Sequence, residues 1–259
     1  MNNRLSQLFK QKTENVLSIF FTAGFPSVND TGVIARALEK AGADLIEIGI
    51  PFSDPIADGP VIQQSSKQAL DQGMNLKLLL EQVKQLRSEV TLPVVLMGYI
   101  NPILQYGIGN FCRDARTAGV DGVILPDLPL RDFNEHATLF HDNDLSVIML
   151  VTPATPDERI RLIDQASSGF LYAVSASSTT GAKTGFTTEQ EAYFRRLAGL
   201  GLRNPVLVGF GISNAATFQS ACRYGAGAIV GSAFVSMLRN STNLEADIIT
   251  FVKGIRSVS

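Results

Sequence analysis

Residues 45–60 read Leu-Ile-Glu-Ile-Gly-Ile-Pro-Phe-Ser-Asp-Pro-Ile-Ala-Asp-Gly-Pro, a short apolar run followed by a loop rich in proline and glycine. The apolar run is typical of a strand in a buried parallel sheet, yet Glu47 stands in its middle. Removing an ionised carboxylate from water costs several kcal/mol unless the charge is paired. The stretch therefore predicts that Glu47 has a partner, a raised pKa or a chemical task.

The loop that follows contains a second carboxylate, Asp58, in a segment whose prolines restrict the backbone. Two interpretations are open. Glu47 could be a core acid neutralised by an Arg or Lys elsewhere in the chain, while Asp54 and Asp58 serve as ordinary turn or helix-cap residues. Alternatively, Glu47 and Asp58 act together in a catalytic site, and the surrounding architecture decides between the two.

The remainder of the chain repeats an apolar strand followed by an amphipathic helix, eight times in all. The predicted strands span residues 17–22, 44–48, 93–97, 122–125, 145–151, 170–174, 205–209 and 228–230. The predicted helices between and after them span residues 28–41, 61–70, 76–88, 111–118, 130–143, 156–166, 189–200, 214–224 and 244–258. No hairpin signal separates two strands, which favours parallel strands joined by helical crossovers.

Eight such units in 259 residues predict an α/β fold, a closed (β/α)8 or TIM barrel. An extra N-terminal helix at residues 3–12 and a short helix after the eighth strand complete it. The alternative is an open doubly wound sheet, which is disfavoured because no Gly-x-Gly-x-x-Gly motif follows the first strand. We expect residues 1–259 to form a single catalytic domain.

The composition excludes several classes of function. The 22 Lys and Arg residues nearly balance the 24 Asp and Glu residues without forming long runs of like charge, so nucleic acid and anionic membranes are not expected partners. Cys112 and Cys222 have no metal-binding or disulfide spacing. The apolar run at residues 16–21 resembles a signal peptide, but Glu14 precedes it and no cleavage signal follows. We expect a cytoplasmic protein without a membrane span or a metal site.

Active sites of such barrels gather where the strands end and the loops to the helices begin. Polar and aromatic residues predicted at these ends are Phe20, Thr22, Glu47, Asp58, Tyr99, Asn101, Asp127, Tyr172, Thr180 and Gly181. Two glycine-containing segments follow the last two strands, Gly209-Phe210-Gly211 and Gly231-Ser232. Barrels commonly bind phosphate at these two positions, although Gly-x-Gly is also ordinary turn chemistry. The pattern predicts a phosphate site beside two carboxylates.

Two other kinds of chemistry are disfavoured by where the basic residues fall. His136 and His141 both belong to the helix after the fourth strand, away from the strand ends, so neither metal ligation nor a histidine base is expected. Lys183 lies in the sixth loop and not at the end of a strand, which disfavours an imine-forming aldolase.

Four segments together resemble the tryptophan synthase α subunit family: residues 20–26 (Phe-Phe-Thr-Ala-Gly-Phe-Pro), the Glu47 to Pro60 stretch, residues 209–213 (Gly-Phe-Gly-Ile-Ser) and residues 231–233 (Gly-Ser-Ala). The resemblance covers essentially the whole chain, in order. It implies a TIM barrel that catalyses the retro-aldol cleavage of indole-3-glycerol phosphate to indole and glyceraldehyde 3-phosphate, in tryptophan biosynthesis.

The resemblance also implies roles for individual residues. Glu47 would be the general acid and base at indole C3 and the glycerol hydroxyl, and Asp58 would stabilise charge at the indole N–H. The remaining positions that match substrate contacts are Phe20, Ile62, Tyr99 and Tyr172 on the indole side, and Thr180, Gly181, Gly211, Gly231 and Ser232 at the phosphate end. Loops two and six would close over the substrate.

A partner is implied as well, a β subunit that carries pyridoxal phosphate in an αββα assembly, whereas this chain needs no cofactor of its own. Asp54, Pro55, Asn101 and Pro129 match the contact regions for that partner. Ala176 and Ser178 depart from the family, whose members often carry Arg and Gly there, so loop closure and subunit coupling could differ. Two alternatives stay open: a lyase that needs no partner, and an activator of the β subunit with little turnover. Retention of both Glu47 and Asp58 disfavours the activator.

Overall fold

A computed structural model describes residues 2–174, 186–209 and 211–257. Its strands are β1 (Val16–Thr22), β2 (Leu45–Gly49), β3 (Val94–Met97), β4 (Gly122–Ile124), β5 (Ser146–Val151), β6 (Leu171–Val174), β7 (Val206–Gly209) and β8 (Gly227–Val230). They are parallel and close in sequence order, with β1 paired to both β2 and β8. The predicted closed barrel is confirmed, and the open doubly wound sheet is wrong.

The helices surround this barrel. They are α1 (Arg4–Gln11), α2 (Asp30–Ala41), α3 (Pro60–Asp71), α4 (Leu76–Leu86), α5 (Ile100–Tyr106), α6 (Ile108–Ala118), α7 (Leu130–Asp142), α8 (Asp157–Ala166), α9 (Thr188–Gly199), α10 (Ala215–Cys222), α11 (Ser232–Asn240) and α12 (Leu244–Arg256). Within the described ranges, no helix is both long enough and apolar enough to cross a lipid bilayer.

Helix ends follow local sequence chemistry. The Asn3 side chain accepts a hydrogen bond from the Ser6 backbone and so caps α1, and Gly42 ends α2 in a left-handed conformation with φ 91°. Helix α5 was not predicted, because an Asn-Pro pair is more typical of a turn than of a helix. Pro102 lies in the first turn of α5, where the missing backbone N–H breaks no helical hydrogen bond.

The barrel interior is filled by the alternate residues that point inward from each strand. Leu45, Val95 and Ile229 belong to one fully buried apolar cluster, and Leu5 of α1 packs into the same cluster. The outward-facing Ile46 and Ile48 instead join the larger cluster between the barrel and its helices. Because α1 covers the N-terminal end of the strands, the interior is left to receive a ligand at the C-terminal end.

Candidate functional site

A cleft lies where the strands end. Its walls include Phe20, Thr22, Gly49, Asp58, Ile62 and Tyr99, together with Met97 and Leu150. Apolar and aromatic surface dominates, with the Asp58 carboxylate among the few polar groups. Such a cleft suits a planar aromatic ligand that carries one polar group for orientation.

Glu47 lies one layer deeper in the barrel, two residues before Gly49 and therefore on the same inward face of β2. Its neighbour in register on β1 is Phe20, which lines the cleft. The Glu47 side chain is fully buried, and Ser18 Oγ donates a hydrogen bond to its Oε1 over 2.7 Å. The other oxygen, Oε2, has no hydrogen-bond partner in the described part of the chain.

Burial raises the pKa of Glu47 to about 7, and the hydrogen bond from Ser18 opposes that rise. In the ranges that the structure describes, Glu47 forms no ion pair with Lys, Arg or His, which disfavours the interpretation of a neutralised core acid. A carboxyl group with a pKa near neutrality can both donate and accept a proton at physiological pH.

The same pKa predicts how stability depends on pH. The folded pKa of about 7 exceeds the ordinary value of 4.5, so between these values the folded state holds the extra proton and stability falls as pH rises. Glu47→Gln removes this titration, so its free energy of unfolding should gain about 2–3 kcal/mol relative to wild type between about pH 5 and pH 8. Denaturant titration of both proteins at the two pH values measures the change, and a constant difference would contradict the raised pKa.

Asp58 is held at the rim of the cleft by Tyr99. The Tyr99 hydroxyl donates to Asp58 Oδ2 over 3.2 Å and accepts from the Ala57 backbone N–H over 2.9 Å. Burial raises the pKa of Asp58, and the Tyr99 hydrogen bond acts against this. Gly59, not Asp58, is the N-cap of α3, so the helix-cap interpretation of Asp58 is wrong. Tyr99 therefore positions loop two, a role that its sequence position did not indicate.

Glycines at two strand ends make room for aromatic rings. A Cβ on Gly209 would lie 2.3 Å from Tyr172 Cε1, and a Cβ on Gly49 would lie 2.7 Å from Phe20 Cζ. Burial raises the pKa of Tyr172, and the nearby charges of Glu47 and Asp58 raise it further. Tyr172 is thus placed within the field of both carboxylates. Gly209 has a packing reason for lacking a side chain, and its contact with phosphate stays a prediction.

The predicted phosphate end is described in part. Gly231 is the N-cap of α11 and Ser232 its first residue, and no side-chain hydrogen bond caps that helix. A Cβ on Gly231 would lie 3.7 Å from Phe20 Cδ1, so this helix start borders the cleft. Gly211 has φ +78°, a conformation that favours glycine. Thr180, Gly181 and Phe210 lie outside the described residues, as do Ala176, Ser178 and Lys183.

The predicted partner-contact residues occupy one end of the barrel. Asp54 and Pro55 lie in the loop after β2, Asn101 in α5 after β3, and Pro129 at the N-cap of α7 after β4. Asp54, Asn101 and Pro129 are exposed, and Pro55 is partly exposed. Three successive strands therefore present these residues side by side on the surface.

Sequence reasoning missed Ser18, the hydrogen-bond donor to Glu47. A signal was present, since Ser18 precedes Phe20 by two residues and so shares its inward face. It also missed Ser65, whose hydroxyl lies 2.6 Å from that of Thr22 at the cleft. His136 and His141 lie on α7 as predicted, and in the described residues no cluster of His, Cys, Asp or Glu is arranged to hold a metal ion.

Comparison with known proteins identifies the family. The family model for the tryptophan synthase alpha chain matches residues 6–255. The tryptophan synthase alpha chain of Phocaeicola vulgatus is 53% identical over 237 residues, which cover 91% of this chain and 92% of that one.

Two solved structures are similar over nearly the whole chain. Tryptophan synthase subunit alpha from Legionella pneumophila superposes with a TM-score of 0.88 at 33% identity, covering 99% of this chain and 98% of that one. A chain of the tryptophan synthase α2β2 complex from Pyrococcus furiosus gives a TM-score of 0.88 at 35% identity, covering 95% and 100%. The chain agrees with these relatives in sequence and in fold, and it belongs to the tryptophan synthase alpha chain family.

Proposed function

We propose that this chain cleaves indole-3-glycerol phosphate to indole and glyceraldehyde 3-phosphate, as a carbon–carbon lyase of tryptophan biosynthesis. Family membership supports the reaction, and residues 1–259 would form its single catalytic domain. The observation that carries the assignment of its chemistry is Glu47, a buried carboxyl with a pKa of about 7 beneath an apolar cleft. Retro-aldol cleavage needs proton transfers alone, and one group that titrates near neutrality can perform them.

Glu47 acts on both sides of the bond that breaks. It donates a proton to indole C3, which makes the ring an electron acceptor, and then takes the proton of the glycerol hydroxyl. The electrons of that O–H bond form the aldehyde C=O, and the electrons of the carbon–carbon bond return to the indole ring. The carboxyl recovers its proton at the end, so the cycle consumes no co-reactant.

Asp58 acts on the nitrogen side of the ring. Protonation at C3 places positive charge on the indole nitrogen, and a carboxylate close to the N–H stabilises that charge most strongly where water is excluded. The Tyr99 hydroxyl holds Oδ2 of Asp58 and the backbone of loop two in place. Phe20, Ile62 and Tyr99 line the cleft and supply walls against which the indole ring packs, and Tyr172 is assigned to this wall by the family resemblance.

The phosphate lies at the start of α11. No side-chain hydrogen bond caps the start of α11, and the backbone N–H groups and positive dipole end of a helix start suit a dianion. Gly209 and Gly211, on either side of Phe210, complete the glycine-containing rim that follows β7. Thr180, Gly181 and Phe210 are assigned to this rim by the family resemblance alone.

Gly231→Ala tests the phosphate assignment cleanly. The added methyl group would meet Phe20 at an ordinary contact distance of 3.7 Å, so the free protein accommodates it and its effect arises from the ligand. We expect KM for indole-3-glycerol phosphate to rise about tenfold with an unchanged melting temperature, because the methyl keeps the phosphate from the backbone. Gly254→Ala is the control, since nothing lies within 4 Å of its Cβ position on α12. An unchanged KM would refute the assignment.

A β subunit that carries pyridoxal phosphate is the proposed partner, in an α2β2 assembly. Complexes of this kind are named in the similar structures from Pyrococcus furiosus. The proposed contact surface contains Asp54, Pro55, Asn101 and Pro129, and two exposed apolar side chains on the same elements support it. Ile56 is 90% exposed and Leu104 is 51% exposed. Large apolar side chains left in water commonly mark an interaction surface. The protein would be located in the cytoplasm.

A mixing titration with a β subunit tests the function together with the partner. Indole release from indole-3-glycerol phosphate and the rate of the β reaction are followed as the two chains are combined. The proposal predicts complex formation and faster indole release. A lyase without a partner would show neither complex nor change in rate, and a pure activator would stimulate the β reaction without releasing indole.

A further inference from the structure

A buried polar pair joins β1 and β2 among the apolar residues of the barrel interior. Ser18 and Glu47 are both fully buried, and their Oγ and Oε1 atoms are 2.7 Å apart. Ser18 pairs in register with Leu45 on one side and Ile229 on the other, which are both apolar. Packing alone would favour a third apolar residue there, so the hydroxyl has another reason to be present.

The hydrogen bond makes the two oxygens of Glu47 inequivalent. In a protonated carboxyl group, one oxygen carries the proton and the other accepts hydrogen bonds. Donation by Ser18 makes Oε1 the acceptor, so the proton belongs on Oε2, which has no hydrogen-bond partner among the described residues. In the ionised group the same bond stabilises the negative charge.

We propose that Ser18 is a positioning residue for the cleavage reaction, whose hydroxyl fixes Oε2 of Glu47 as the oxygen that exchanges protons with the substrate. The inference rests on the proposed role of Glu47 and adds to it the group that orients its carboxyl. Ser18 itself touches no reacting atom.

Other groups that face Glu47 do not supply this function. The charges of Glu47 and of Asp58 in loop two both act on Tyr172 of β6, but neither Tyr172 nor Asp58 is a hydrogen-bond cause of the pKa of Glu47. The neighbour on β3 is the apolar Val95, and Phe20 of β1 is apolar as well. The Ser18 hydroxyl is the hydrogen-bond donor that lowers this pKa against burial.

The test is the pH dependence of turnover in Ser18→Ala, with Ser18→Thr as the variant that retains the hydroxyl. Loss of the donor removes stabilisation of the ionised form, so the midpoint assigned to Glu47 should move up by about one pH unit. The midpoint moves upward whether the catalytic cycle starts with protonated or with ionised Glu47. We expect kcat at its pH optimum to fall about fivefold, with KM nearly unchanged, because the carboxyl is no longer held with Oε2 toward the substrate. Ser18→Thr should restore the wild-type midpoint.

Ser146→Ala provides a matched control. Ser146 is another buried strand serine, but it is bonded to Asn3 at the N-terminal end of the barrel, so its loss should leave the midpoint unchanged. Infrared titration of the protonated Glu47 carbonyl band reads the same shift without turnover. Cleavage by wild type with an unshifted midpoint in Ser18→Ala would overturn the role of Ser18 and leave the function intact. Absence of indole release by wild type would instead refute the proposed function, and an unshifted infrared midpoint would still decide against Ser18.

Discussion

Glu47→Gln is expected to slow indole release by about 10²- to 10⁴-fold while the barrel remains folded. The amide has nearly the same size and its oxygen can still accept the hydrogen bond from Ser18. It cannot donate a proton to indole C3 or take one from the glycerol hydroxyl. Glu47 is not among the residues that line the cleft, so KM should change far less than kcat.

Single-turnover measurement of indole, with circular dichroism as the check on folding, tests this expectation. Glu245→Gln is the matched control, because that exposed glutamate on α12 pairs with Lys40 far from the cleft in the fold. Its turnover should equal that of wild type. Turnover by Glu47→Gln at the wild-type rate would remove Glu47 from the mechanism.

Asp58→Asn is expected to lower kcat by about 10²- to 10³-fold. The neutral amide keeps the shape of the side chain and a partner for the Tyr99 hydroxyl, but it no longer balances the positive charge that develops on the indole ring. Tyr99→Phe separates the effect of the Asp58 charge from that of the Asp58 position. It removes the hydroxyl that holds loop two and leaves the Asp58 carboxylate unchanged. Its loss should be smaller, about tenfold.

Steady-state kinetics of both variants beside Asp71→Asn measure the difference. Asp71 is an exposed aspartate on α3 that pairs with Lys67, so its replacement should leave kcat unchanged. Equal losses in Asp58→Asn and Tyr99→Phe would mean that loop position, and not the charge of Asp58, determines the rate.

The architecture was predictable because each strand carries a local apolar signal and each helix a periodic one. In this fold each strand pairs in parallel with the next strand in the sequence. The number of strand–helix units was therefore enough to predict the closed barrel. The element that escaped prediction, α5, has an Asn-Pro pair whose helical conformation depends on its place in the first turn. Asp127 lies across from that turn and accepts a hydrogen bond from the Ile100 backbone, a contact that no local pattern reveals.

The site was predictable where a residue contradicts its surroundings. Glu47 stands out because an acid interrupts an apolar strand, and the structure provides the fully buried environment that such an acid implies. Ser18 does not stand out, since serine is unremarkable in a strand and its significance depends on the neighbouring strand. The bond between Tyr99 and Asp58 joins residues 41 positions apart and likewise requires the folded loop. Gly209 matched a phosphate pattern, and the folded chain adds a packing reason for the glycine, since a Cβ there would meet Tyr172.

Formation of both products from indole-3-glycerol phosphate by the purified wild-type chain is the most direct test of the central claim. Indole and glyceraldehyde 3-phosphate are measured in the same reaction near neutral pH, alone and with a β subunit. The account predicts equal amounts of the two products, formed slowly by the chain alone and faster with the partner. Release of neither product under either condition would contradict it.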